Sequence, residues 1–290
     1  VHLSRFPVNR NGKIDYNALP DVQAAVGQDY LAPVTVAECA ISDVISTVLG
    51  IPRIGLYDNF LELGGDSIRA IQVVSRLKQQ MLSIQVKDLF QAENIKNLAE
   101  RVKSADTGPP PEHFTGLVPL TPVQAWFFRH HEHGLHHFNQ SILLKTDEPI
   151  DETGIRSVFE QLFHHHDMLR TTFTKTPDGW AQEVGEHSEV CIEHIDLRQT
   201  SEPASALESH AARIQGSFDL SEGPLAKAAI YRMPDGDRLF VVIHHLLVDG
   251  VSWRVLLEDL ETGYGQYLRE SEIEFAGRTD TFLAWSKSLR

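Results

Sequence analysis

Cysteine is nearly missing from this chain, and the two present, Cys39 and Cys191, stand far apart with no metal-ligand spacing around either. That excludes a disulfide framework and reads as two small core residues of a reducing compartment. No apolar run approaches the roughly 20 residues that cross a bilayer, so no membrane partner is expected. Bases are too few and too scattered to form a patch, which argues against nucleic acid. The opening "VHLSRFPVNR" lacks both an initiator methionine and a signal-peptide pattern, and reads as a segment of a longer, cytoplasmic protein.

What is present describes an ordinary globular composition, 42% apolar and 23% charged, over 290 residues, long enough for two domains. The net charge of −14 is unevenly placed. Residues 1–103 are balanced, and residues 104–290 hold 29 acids against 15 bases, so they carry all of it. This asymmetry points to separate units. Between them "SADTGPPPEHFTG" (104–116) reads as a spacer, because Pro109, Pro110 and Pro111 favour extended backbone.

Upstream of the spacer, Thr35 and Glu38 form a capping-box pattern ahead of Ala40, Ile41, Val44, Ile45, Val48 and Leu49 at helical spacing. A second helix is predicted from Ser67, with Ile68, Ile71, Val74 and Leu77 on one face. Asn94 caps a short third, with Ile95, Leu98 and Val102. Downstream, 139–146 and 238–243 read as strands. Residues 153–170 and 252–268 read as helices, the latter with Trp253, Leu256, Leu257, Leu260, Tyr264, Tyr267 and Leu268 on one stripe. The expectation is a small helical bundle followed by an α/β unit.

Two stretches carry chemistry. In "DNFLELGGDSIRAIQ" (58–72), Gly64 and Gly65 let the backbone turn sharply before Asp66 and Ser67 open a helix. Free amides and the positive dipole end would favour a phosphodiester on the Ser67 hydroxyl. Spacing alone leaves open that Ser67 is only an N-cap. No Gly-x-Ser-x-Gly elbow surrounds it, so a nucleophilic role is not expected. The whole stretch resembles the carrier domains of nonribosomal peptide synthetases. The resemblance implies a four-helix carrier bundle with 4'-phosphopantetheine held covalently on Ser67, beside Gly65 and Asp66. Asp66 matches the variant of this motif seen in carriers that precede an epimerization domain. "FPVNRNGKIDYNALP" (6–20) resembles the close of an adenylation domain, with Lys13 at its lysine.

The second stretch, "RLFVVIHHLLVDGVSWRVLLEDL" (238–260), ends a buried strand on His244 and His245. Period-2 alternation points the two rings to opposite faces, so one can pack while the other meets substrate as a proton shuttle. Asp249 is expected to anchor the turn, with Arg170 as one candidate partner for it, and Gly250 relieves crowding. Spacing also leaves open two histidines that merely end a strand. "HHLLVDGVSW" resembles the His-His-x-x-x-Asp-Gly motif of the condensation superfamily, with its chloramphenicol-acetyltransferase-like fold. That implies a catalytic set of His245, His244 and Asp249, with His245 as the acid/base. Val251-Ser252-Trp253 and "LTPVQAWFF" (120–128) resemble the epimerization branch.

The resemblance implies four segments. Residues 1–30 are an adenylation tail, 31–103 a peptidyl carrier, 104–117 a linker, and 118–290 the N-terminal lobe of an epimerization-type domain. Its chemistry would be L-to-D inversion at the α-carbon of a carrier-bound aminoacyl or peptidyl thioester. The family's second acid/base, a glutamate, has no counterpart here, so the 290 residues alone are expected not to epimerize efficiently. A phosphopantetheinyl transferase, an adenylation domain and a downstream condensation domain are the implied partners. Two rival readings are a condensation domain joining carrier-bound substrates, and a carrier on an inert scaffold. The clusters His130, His131, His133, His136, His137 and His164–His166 lack the cysteines or ordered carboxylates of a metal site, and none is expected.

Overall fold

The computed structural model describes residues 7, 30–104, 114–187, 189–275 and 281–289. Lys13, nearly all of the 1–30 tail, and the Pro109, Pro110 and Pro111 run lie outside the described residues. The chain divides into two compact units, residues 1–106 and 107–290.

The first unit contains α1 (Val36–Leu49), α2 (Ser67–Gln79), α3 (Val86–Gln91) and α4 (Ile95–Ala99). A two-residue ladder pairs β1 (Leu82–Ser83) antiparallel with β2 (Lys103–Ser104). Helix α1 starts where the sequence predicts. Thr35 accepts from the Glu38 amide, and the Glu38 carboxylate accepts from the Thr35 amide at 2.8 Å. Those amide bonds, first from Thr35 and then from Val34, hold the Glu38 carboxyl below its ordinary range. Ile41, Val44 and Ile45 enter the core, and Gly50 (φ 69°) ends the helix in the left-handed region.

Helix α2 departs from expectation by one position. Its buried arc is Ala70, Val73 and Leu77, while Ile71 is 41% exposed. An apolar helix surface wider than the core contact does not reveal which arc will be covered. Helix α3 is six residues long, too short for a periodic signal, and only the implied four-helix bundle anticipates it.

The second unit runs β3 (Gly116–Val118), α5 (Pro122–His130), β4 (Asn139–Thr146), α6 (Glu152–His165), a 3-10 turn (Asp167–Arg170), β5 (Thr171–Thr176), β6 (Gly179–Val184) and β7 (Cys191–Asp196). It continues through α7 (Pro203–Gln215), β8 (Ala226–Met233), β9 (Gly236–His244), α8 (Gly250–Leu268) and α9 (Phe282–Ser288). One sheet has the order β4-β9-β8-β7 and a smaller one the order β3-β6-β5. Strand β9 pairs antiparallel with both β4 and β8, and β7 runs parallel to β8 with α7 in the crossover. Strand β9 is therefore central, and its residues 239–244 are all buried. Helices α6 and α8 pack closely: a Cβ on Gly154 would lie 2.4 Å from the Tyr267 ring.

The helix predicted over 153–170 stops at His165. Arg170, only 4% exposed, is the physical reason. Its guanidinium donates to the Phe163 and His164 carbonyls, which closes the end of α6, and to Asp167 at 2.8 Å. It therefore does not pair with Asp249, correcting that expectation. The α8 stripe holds as far as Tyr267, but Leu268 is 62% exposed. No helix among the described residues is long and apolar enough to cross a membrane.

Candidate functional site: an exposed serine and a fixed imidazole

The loop before α2 shows why the motif needs its residues. Asn59 donates to the Ala92 and Glu93 carbonyls and accepts from the Leu61 and Glu62 amides, pinning the loop at the start of α4. Phe60 fills the core. Gly64 takes φ 91°, left-handed backbone that strains other residues. Gly65 is needed for closeness instead: a Cβ there would lie 2.4 Å from the Phe60 ring and 2.5 Å from its carbonyl oxygen. Gly65→Ala is expected to destabilise this unit by about 1–3 kcal/mol through overpacking. The check is amide hydrogen exchange in α1 and α2; protection equal to wild type would mean that Phe60 moves aside freely.

Asp66, not Ser67, is the N-cap. Its carboxylate accepts from the Ile68 and Arg69 amides at 2.9 Å each. Ser67 is the first helical residue, as predicted, which closes the alternative that it is only a cap. One expectation is corrected, since two of the amides thought open to a phosphodiester are already satisfied. Ser67 itself is exposed, and among the described residues its hydroxyl makes no hydrogen bond. The residues fit an arm joined through the Ser67 oxygen by access, not by an amide cradle. Gly65 and Asp66 shape the loop and start the helix.

In the second unit the register Asn139↔His244 places the histidine pair at the end of β9. The two rings diverge as alternation predicts. His244 is 0% exposed; its Nε2 donates to the Leu135 carbonyl at 2.8 Å, and its Nδ1 accepts from the Leu246 amide. Burial, opposed by the Leu135 bond, pulls its pKa from 6.5 to about 4. His244 is thus buried and bonded at both ring nitrogens, the packed member of the pair.

The linkage has a definite sign. Below pH 6.5 the unfolded chain binds a proton here that the folded chain refuses until about pH 4. Stability is therefore present above pH 6.5 and lost as pH falls towards 4, by about 3 kcal/mol at most. All four tryptophans, Trp126, Trp180, Trp253 and Trp285, lie in this unit, so tryptophan fluorescence follows its unfolding alone. His244→Asn is expected to flatten the acid-side loss in that window, whatever it does to stability at pH 8. An unchanged slope would sink the assignment.

His245 is partly exposed and stacks on Phe138 with ring centroids 5.0 Å apart. Its Nδ1 donates to the Val248 carbonyl at 2.7 Å, which leaves a lone pair on Nε2. Asp249 N-caps α8, so the helix opens two residues earlier than predicted. Its carboxylate accepts from the Val251 and Ser252 amides and from the Ser252 hydroxyl. Burial opposes ionisation, but these bonds outweigh it and hold the carboxyl below its ordinary range. Asp249 shapes the turn and touches no ring nitrogen of His245.

The motif at 120–128 reaches this loop across 122 residues: Gln124 Nε2, buried at 3% exposure, donates to the Leu246 carbonyl at 3.2 Å. Sequence spacing could not have joined them. The remaining histidines are largely structural. His130 and His131 bond the Trp126 and Phe127 carbonyls of their own helix, and His136 accepts from the Leu220 amide. Among the described residues, His165, His166 and Asp259 bring possible ligand atoms within 4.8 Å of one another, with His166 Nε2 bonded to Asp259 at 2.7 Å. No spacing along the chain signals that grouping.

A helical bundle with an exposed serine opening its second helix, and an α/β lobe ending a central strand on one buried and one accessible imidazole, define a class. It is a carrier joined to a chloramphenicol-acetyltransferase-like lobe. Family models match both units, a phosphopantetheine attachment site over residues 39–102 and a condensation domain over 115–290. The chain belongs to the condensation-domain family, as a nonribosomal peptide synthetase segment that bears covalent 4'-phosphopantetheine.

Surfactin synthase subunit 2 of Bacillus subtilis is 40% identical over the whole of this chain and 8% of that protein. For tyrocidine synthase 1 of Brevibacillus parabrevis the figures are 39%, the whole chain and 27%. The chain thus spans about a quarter or less of the length of these relatives. Among solved structures, the epimerization domain from the third module of tyrocidine synthetase B is 35% identical with TM-score 0.59, over 61% of this chain and 41% of that one. The starter condensation domain of rhizomide synthetase, 17% identical with TM-score 0.54 over 60% and 41%, shares the fold.

Proposed function

We propose that Ser67 carries the arm and that residues 118–290 are the N-terminal lobe of an epimerization-type domain. In this reading residues 31–103 are the peptidyl carrier and 1–30 an adenylation tail. When bound, the arm supplies a thioester whose carbonyl acidifies the substrate α-carbon. Nε2 of His245 takes the α-proton; the C–H bond breaks and its electron pair stays with the carbon next to the carbonyl. Phe138 holds the imidazole plane by stacking, and the Val248 carbonyl keeps the other nitrogen protonated. Return of a proton on the opposite face, from a second acid, inverts the centre.

The observation that carries this reading is the 35% identity to an epimerization domain, against 16–18% for the starter condensation domain of rhizomide synthetase, which has the same fold. A phosphopantetheinyl transferase is implied by the carrier unit. The adenylation domain and a downstream condensation domain are the proposed neighbours. The test is deuterium wash-in at the α-carbon of the loaded full-length synthetase. Exchange without any acceptor supports inversion. Turnover only with an amine acceptor would replace it by peptide-bond formation, and neither would leave a carrier on an inert scaffold.

A further inference from the structure

Two side-chain hydrogen bonds meet at the His245 ring and a third orients one of its partners, and together they select one tautomer. The Trp253 indole N–H, a donor only, lies 2.9 Å from Gln140 Oε1. That fixes the orientation of the Gln140 amide, so its Nε2–H₂ faces His245 Nε2 at 3.2 Å. An amide nitrogen only donates, so His245 Nε2 must be the acceptor. Its proton therefore sits on Nδ1, where the Val248 carbonyl at 2.7 Å requires it. The three bonds agree without choice.

We infer that Gln140 and Trp253 are positioning residues that hold His245 in the Nδ1–H tautomer, with the Nε2 lone pair kept ready to take a proton. The proposal deepens the reading above and rests on it for its purpose, though not for its geometry. Which ring nitrogen is protonated is set by the partner of the other. Here both partners enforce one answer. The Gln140 contact is the long one, so an approaching α-carbon can displace it and use the same lone pair. Gln140 comes from β4, paired with β9 at Gln140↔Ile243, and Trp253 from the first turn of α8. Strand and helix thus aim one imidazole together. The Trp253 ring also lines a wholly apolar cavity of about 30 Å³ with Ile142, Ile243 and Leu256.

The test is nitrogen-15 NMR of histidine-labelled protein, the full 290-residue chain, with the His245 signals identified by their loss in His245→Asn. The wild type should show a pyrrole-like Nδ1 and a pyridine-like Nε2 at neutral pH. Gln140→Glu keeps the Trp253 bond but turns a carboxylate oxygen to Nε2, and should place protons on both nitrogens. Trp253→Phe frees the amide to turn and should shift the Nε2 resonance as its hydrogen bond weakens, while the Val248 carbonyl keeps Nδ1 protonated. Gln140→Leu serves if the glutamate variant fails to fold, and should shift the Nε2 resonance through loss of its hydrogen bond, with Nδ1 still protonated. In the full-length synthetase, Gln140→Glu should slow α-proton exchange about 10-fold or more, because a proton then occupies the Nε2 lone pair that the base needs. An Nε2–H wild type, or signals unmoved by Gln140→Glu and Gln140→Leu, would overturn the inference. Since the NMR result does not depend on turnover, it can fail while the epimerase reading stands, and the reverse.

Discussion

Incubated with coenzyme A and a phosphopantetheinyl transferase, the chain gains one arm by mass, and Ser67→Ala gains none. The argument is one of access. Ser67 is exposed at the first turn of α2 with its hydroxyl uncommitted among the described residues. Helix α2 does not depend on that hydroxyl, because Asp66 caps it. Ser67→Ala should therefore fold as wild type, with an unchanged circular dichroism spectrum, and lose loading completely. Asp66→Ala gives the opposite pattern: a helix weakened by about 1 kcal/mol, with the nucleophilic oxygen still present. Loading that survives Ser67→Ala would end the assignment of the arm.

The second large effect is expected at His245. In the full-length synthetase, His245→Ala should reduce deuterium exchange at the substrate α-carbon by about 10²- to 10⁴-fold, the range supplied by a positioned general base. The fold should survive, since His245 is partly exposed and its neighbour does the packing. His244 is the contrasting control. Fully buried and bonded to the Leu135 carbonyl, it should reveal itself in stability and acid sensitivity instead. If His245→Ala exchanges at the wild-type rate, the proton is taken elsewhere and the proposed mechanism is wrong.

Much of this site is local enough to read along the chain. Helix α1 begins at Thr35 because capping is an exchange between residues three apart, and nothing distant can alter it. The divergence of His244 and His245 follows from strand alternation alone. The buried arc of α2 shows the limit: Ile71 looks as fit for the core as Ala70, and only the position of the neighbouring helices decides between them. Arg170 is similar. Its charge suggested Asp249, but the end of α6 offers three acceptors at once, and a buried guanidinium with five donors goes where most are satisfied.

The sequence by itself determined the local devices: the two glycines before Asp66 and Ser67, the strand that ends on a histidine pair, and the Asp249 carboxylate that starts the next helix. Each is complete within a few residues, so backbone geometry and capping chemistry dictate it. Tertiary structure alone decided what faces the other nitrogen of His245, Nε2, because the Val248 carbonyl that takes the Nδ1 proton is only three residues away. That choice depends on Gln140, 105 residues away, and on Trp253, a further link of 113 residues back to the same glutamine. Hydrogen-bond direction is a property of partners in space, and only the pairing of β4 with β9 beneath α8 brings these partners within reach.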